Sequence, residues 1–191
     1  MKGRLQRPPD FTGGRLDSFR QVFVRHGLAG LVLALIFVLP HPGREALWGV
    51  LAPAIQSPVL YGVWGALVLA ALSVYSTLRD RKLRPAQLGW IVYLGFLSLW
   101  EEWVFRVAIP DLLMGSGLDI KLAFLLASGF FGAMHYFTLR WRWQWCVGAL
   151  IGGLALSRQV DLHADLLLIS AYHWVATFMN TPRPPGQSSR G

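Results

Sequence analysis

The sequence predicts an all-α, polytopic membrane helix bundle of about six transmembrane helices with both termini cytoplasmic. Three observations carry that expectation. Hydrophobic residues make up 54% of the 191-residue chain and charged residues only 15%, with a mean hydropathy of +0.43, whereas a soluble domain carries about a quarter charged residues. Six apolar runs recur, most of them near the roughly 20 residues a spanning helix needs. Basic residues gather on alternate connections between those runs.

In chain order, residues 1–21 form a basic, cytoplasmic N-terminal segment, and the first span covers 22–40. It ends in "VLPHPG" rather than a small-x-small cleavage site, which predicts a retained anchor. "REALWGVLAPAI" at 44–55 is too short to span and suits the outer interface. Further spans follow at 57–78, 87–109, 120–139, 142–157 and 162–180, the fifth being the shortest. The bundle thus occupies 22–180, and the Pro/Ser/Gly-rich tail 181–191, "TPRPPGQSSRG", is expected to be disordered. Cys146 is the single cysteine of the chain, so no disulfide framework or cysteine metal cluster is expected.

The flanks test the span count independently, because cytoplasmic loops collect Lys and Arg. With both ends inside, the inner segments hold Lys2, Arg4, Arg7, Arg15, Arg20, Arg25, the "RDRKLR" run at 79–84, Arg140, Arg142, Arg183 and Arg190. The outer loops hold Arg44, Lys121 and Arg158. An odd number of spans would mix the two sets. The net charge of +8 is therefore a topology signal with some attraction to anionic lipid, and no basic soluble surface remains to bind nucleic acid. The expected location is the cell membrane, as a multi-pass protein, the inner membrane in a bacterium.

Ionisable side chains inside a span are costly and tend to face the bundle interior. The sequence singles out Glu101, Glu102 and Arg106 in the third span, His135 in the fourth and His173 in the sixth. Only three glutamates occur in the chain, and two of them are this adjacent pair. Glu102 and Arg106 stand four apart on one helical face, so they can pair. Glu101 lies about 100° round the helix with no basic residue one turn away. A carboxylate in such a site can act as a general base on water. Phe131 sits one turn before His135, and His173, Thr177 and Asn180 share the face of the last span. A lone histidine in a membrane bundle often only bridges helices, and Glu102 with Arg106 also reads as a structural ion pair.

The motifs "EEWVFR", "FGAMH" and "HWVAT" come in that order, matching EExxxR, FxxxH and a later histidine four residues before a small polar side chain. Over residues 87–180, a catalytic core of four helices, the chain resembles the CAAX-processing and bacteriocin-processing (CPBP) family of glutamic-type intramembrane endopeptidases. The resemblance implies that Glu101 and His135 activate the water that attacks a peptide carbonyl. It also implies that His173 and its i+4 partner stabilise the oxyanion, while Glu102, Arg106 and Phe131 support the site. Where the family usually carries Asn or Asp at i+4, this chain has Thr177, and Asn180 follows at i+7 on the same face. The partners implied are the bilayer and a membrane-associated peptide or protein substrate. A non-catalytic family member stays open at this point.

Other classes can use the same residues. Glu101, His135 and His173 are zinc-type ligands, but they come from three helices without an HExxH spacing, so no cofactor is expected and zinc is not favoured. Haem ligation by the two histidines and a proton-coupled relay are the remaining alternatives. A depth argument bears on whether the groups can meet. At 1.5 Å per residue, His135 lies about 22 Å from a boundary near Ile120, and Glu101 matches it at about 20 Å only if its helix runs through Pro110 to Met114, stopping at "GSG".

Overall fold

The computed structural model describes residues 5–10 and 14–186, and every regular element among them is helical. Helix α1 is Phe19–Val38, with a π-helical turn at Phe23–Gly27. Helices α2 (His41–Gln56) and α3 (Pro58–Asp80) follow. Helix α4 starts as an α-helix over Pro85–Glu102, becomes π-helical over Trp103–Ala108 and resumes as an α-helix over Ile109–Gly115. Helices α5 (Ile120–Thr138), α6 (Trp143–His163) and α7 (Leu166–Asn180) complete the set.

Local chemistry explains most boundaries. Ser18 and Gln21 form a reciprocal capping box at the start of α1. Pro58 and Pro85 open α3 and α4 in the first turn, where the missing N–H is harmless. Asp119 and Asp165 accept backbone N–H groups at the starts of α5 and α7, and Tyr61 on α3 donates its hydroxyl to Asp165. Arg81 and Ala164 end α3 and α6 in the left-handed conformation.

Each apolar run becomes a helix, with four differences. The fifth run extends past residue 157 to His163, where Arg158 pairs with Asp161 at i, i+3. The short stretch at 44–55 belongs to a full helix, α2. The third helix does pass through Pro110, to Gly115; its π-helical turn is not foreshadowed by any proline or glycine within it. Finally, residues 181–186, the first part of the Pro-rich tail, lie against the bundle. Thr181 and Pro182 carbonyls accept from Trp90 Nε1 at 2.7 Å and Gln87 Nε2 at 2.9 Å, and Arg183 pairs with Asp80. That hydrogen-bonded carboxylate raises the Arg183 guanidinium above its ordinary range. Residues 187–191 lie outside the described residues.

Helix α4 is the axis of the bundle and touches all six other helices. Its residues from Glu101 to Ala108 are all buried. Buried indole N–H groups need acceptors, and they fasten α4 to its neighbours: Trp103 donates to Ala34 O on α1 and Trp174 on α7 donates to Ile91 O. The outer helices show the opposite pattern. On α3, Val59, Trp64 and Leu78 are more than half exposed, as suits a lipid-facing surface. Helices α1, α3 and α5 are long and apolar enough to cross a membrane, and α7 is a shorter apolar helix.

Helices α5 and α6 pack through Gly132, where a Cβ would stand 2.7 Å from Cys146 O. A Cβ at Gly129 meets nothing within 4 Å. Gly132→Ala should therefore cost about 1–3 kcal/mol through overpacking, seen as a lower melting temperature in detergent. Gly129→Ala should be neutral or slightly stabilising, since alanine favours a helix by about 0.5–1 kcal/mol.

Candidate active site

The site forms where α4 changes from α- to π-helix. Glu101 and Glu102 end the α-helical part, each at most 2% exposed. Two adjacent buried carboxylates need compensation, since an unpaired buried charge is strongly destabilising. Part of it is local, as the sequence spacing predicts: Arg106 Nε lies 3.2 Å from Glu102 Oε2. The Arg106 guanidinium also stacks 4.5 Å over the Phe131 ring and reaches Ser128 Oγ. Gly153 leaves it room, since a Cβ there would stand 2.7 Å from Nη2.

The rest comes from other helices. His173 on α7 places Nδ1 2.6 Å from Glu102 Oε1 and Nε2 3.7 Å from Glu101 Oε2, so one ring faces both carboxylates. Glu101 lacks a basic neighbour on its own helix, yet it is not free: His26 Nε2 on α1 lies 2.6 Å from its Oε1. His135 on α5 donates Nδ1–H to Phe131 O at 2.8 Å, a bond whose direction is fixed because a carbonyl only accepts. Its Nε2 is therefore the nitrogen left with a lone pair. The His26 and His135 rings are 5.0 Å apart.

A cavity of about 1000 Å³ opens against this cluster and is lined by Glu101, His26, Phe131, His135, His173, Thr177 and Asn180, among others. Glu102 and Arg106 are absent from its lining and stand behind the wall. Thr177 is half-buried. Asn180 is exposed, and its Nδ2 donates to Ala176 O at 3.1 Å, back along its own helix. The eight residues singled out by sequence thus meet around one cavity or directly behind it. His26 is the residue the sequence reading missed. Its signal was present, an ionisable ring inside the first apolar run, but its neighbour Arg25 reads as part of the basic flank.

One ligand atom each from His26, Glu101 and His135 lie within 4.8 Å of one another, a spacing compatible in outline with a divalent metal. A tetrahedral zinc at about 2.0–2.1 Å from each ligand keeps donor atoms about 3.3 Å apart. The 2.6 Å separation of His26 Nε2 and Glu101 Oε1 is shorter, and suits two groups paired with each other.

With the geometry in place, the comparison with known families agrees with it. The family model of type II CAAX prenyl endopeptidases, Rce1-like, matches residues 84–179, from the start of α4 to the last turn of α7. The chain belongs to this family, a family of membrane proteases. No curated relative and no solved structure matches it.

Because Glu102 holds both Arg106 and His173, its loss should act twice. Glu102→Gln and Arg106→Ala should each lower stability by about 3–5 kcal/mol, and the double variant should lose less than the two losses added. Chemical or thermal unfolding in detergent measures the cycle, and strict additivity would show that the two are not partners. Glu102→Gln should also reduce turnover, through the released His173 ring.

Proposed function

We propose that the protein is an intramembrane endopeptidase that hydrolyses a peptide bond in a membrane-embedded or membrane-adjacent protein or peptide. The observation that carries the reading is the buried Glu101 carboxylate on the wall of a large cavity, faced by histidines from three other helices. The 3.7 Å between Glu101 Oε2 and His173 Nε2 is too long for a direct hydrogen bond and suits a shared water. Glu101 takes a proton from that water while its oxygen attacks the carbonyl carbon, and the His135 lone pair helps to orient it. The oxyanion forms against His173 and Thr177. Collapse breaks the C–N bond as the proton passes from Glu101 to the leaving amine, so amide and water become acid and amine.

Several finer features belong to the same proposal. The chain crosses the bilayer six times with both ends cytoplasmic, α2 lying at the outer interface. Arg15, Leu16, Asp17 and residues 182–186, which flank the first and last helices, border the cavity, so in this topology it opens toward the cytoplasm. No cofactor takes part. Phe131 packs on both the His135 and the His173 ring, with centroids 4.5 and 5.6 Å away, which argues against a haem held between them.

The test incubates detergent-purified protein with three quenched peptides: a farnesylated peptide with a CAAX end, an unmodified single-span peptide and a short amphipathic peptide. Cleavage of at least one, with a single ¹⁸O from labelled water in the new carboxyl end, is expected. Failure on all three overturns the reading. Glu101→Gln keeps the shape and removes the base, so the rate per folded molecule should fall by about 10²–10⁴-fold.

Thr177 and Asn180 separate two versions of the oxyanion site. Thr177 rises about 6 Å from His173 and Asn180 about 10.5 Å, and Thr177 is half-buried whereas Asn180 is exposed. Thr177→Ala should slow turnover by about 10–10³-fold, Thr177→Asn should keep or raise it, and Asn180→Ala should have little effect. The reverse order would assign the oxyanion contact to Asn180.

A further inference from the structure

One residue of the site lies outside both the sequence motifs and the family match, which begins at residue 84. His26, on α1, is 1% exposed. Its Nδ1 is 2.7 Å from Thr138 Oγ1 on α5, and its Nε2 is 2.6 Å from Glu101 Oε1 on α4. Hydrogen counting fixes the first contact. Thr138 has a single hydroxyl hydrogen and donates it to Met134 O, 2.8 Å away, so its oxygen accepts from His26 Nδ1–H. The second contact is a close approach: at 2.6 Å, Nε2 stands within ion-pair distance of Oε1.

We propose that His26 is a positioning residue of the active site: it pins Glu101 Oε1 through a close ion-pair contact and leaves Oε2 as the oxygen that receives the proton of the attacking water. The proposal rests on the peptidase reading above. A free carboxylate offers two equivalent oxygens and can rotate. With Oε1 held, Oε2 is left toward His173 Nε2, where the shared water would lie. His26 is itself anchored, by Thr138 at one nitrogen and by the His135 ring beside it.

The backbone gives independent support. Both helices that supply the pair carry a π-helical segment at it: Phe23–Gly27 contains His26, and Trp103–Ala108 begins directly after Glu102. Such segments are rare and concentrate at functional sites. Beside His26, a Cβ on Gly27 would stand 2.5 Å from Tyr93 Oη, so the Tyr93 side chain of α4 packs directly on the α1 backbone there. Helix α1 is thus built to deliver this ring and does more than anchor the chain.

The test uses the full chain and the cleaved peptide identified above. His26→Phe keeps a ring and removes the donor; kcat should fall by about 10²–10³-fold, the range for one lost donor in such a site, with KM within about threefold. His26→Gln retains an N–H of similar reach and should recover most of the rate. In a Glu101→Gln background His26→Phe should add almost nothing, because it acts through Glu101. Unchanged kcat in His26→Phe, or equal losses in the Phe and Gln variants, would overturn the proposal while leaving the peptidase reading intact. Failure of wild-type protein on every peptide instead sinks the peptidase reading. The contact is then decided by solid-state NMR of ¹⁵N-His, ¹³C-Glu protein in bilayers. Two short His–Glu contacts are expected, through Glu101 and Glu102, and His26→Phe should remove one; spectra without that loss overturn the proposal.

Discussion

The structure depends on how two neighbouring carboxylates are neutralised away from water. Glu101 and Glu102 sit at the centre of α4, the helix that touches every other, where each charge would be strongly unfavourable alone. One backbone cannot satisfy both. Adjacent residues point about 100° apart, so Arg106 can serve Glu102 from the same helix and nothing on α4 serves Glu101. The partners of Glu101 must come from α1 and α7, and the bundle has to bring those helices within a hydrogen bond's length of α4. Gly27 against Tyr93, and the Trp103 and Trp174 indoles bonded to α1 and α4 carbonyls, are the packing that makes such approach tolerable.

That arrangement separates two carboxylates that look alike in sequence. Glu102 is enclosed, with Arg106 and His173 on its oxygens and no place in the cavity lining. It is a strut with a cationic or imidazole partner facing each oxygen. Glu101 has one oxygen against His26 and the other toward the cavity. The base role proposed for Glu101 needs that asymmetry, one oxygen held still and an open side for water. The same logic divides the histidines. His135 uses Nδ1 on its own helix and offers Nε2, whereas His173 uses Nδ1 on Glu102 and turns Nε2 to the site.

Much of this was legible in the sequence, because membrane helices reveal themselves through what they exclude. A few ionisable residues among apolar ones stand out, helical spacing pairs Glu102 with Arg106 and Phe131 with His135, and the depth argument requires the helix to run through Pro110, as it does. The misses share one cause. His26 acquires its role only from residues far along the chain, Thr138 and Glu101, and no local spacing encodes such a contact. The contacts of the tail after Asn180 are of the same kind. Composition correctly removes it from the helices, but its carbonyls meet Gln87 and Trp90 and its arginine meets Asp80, partners about a hundred residues earlier.

Thr177, proposed above as the second oxyanion donor, fits this division of labour. Where His173 already has Nδ1 committed to Glu102, its ring cannot turn to follow an oxyanion, so the second donor must suit a fixed Nε2. Thr177 is on the next turn of the same helix and lines the same cavity, with a hydroxyl that rotates freely about its C–O bond. A shorter side chain asks the carbonyl to come closer to α7. The cavity allows it, because Gly148, Gly152 and Gly153 on the opposing α6 present no side chain to its lining. A peptide bond pressed toward α7 would then place its carbon between Thr177 and the Glu101 oxygen that His26 leaves open, the position from which a water held by Glu101 and His173 can attack.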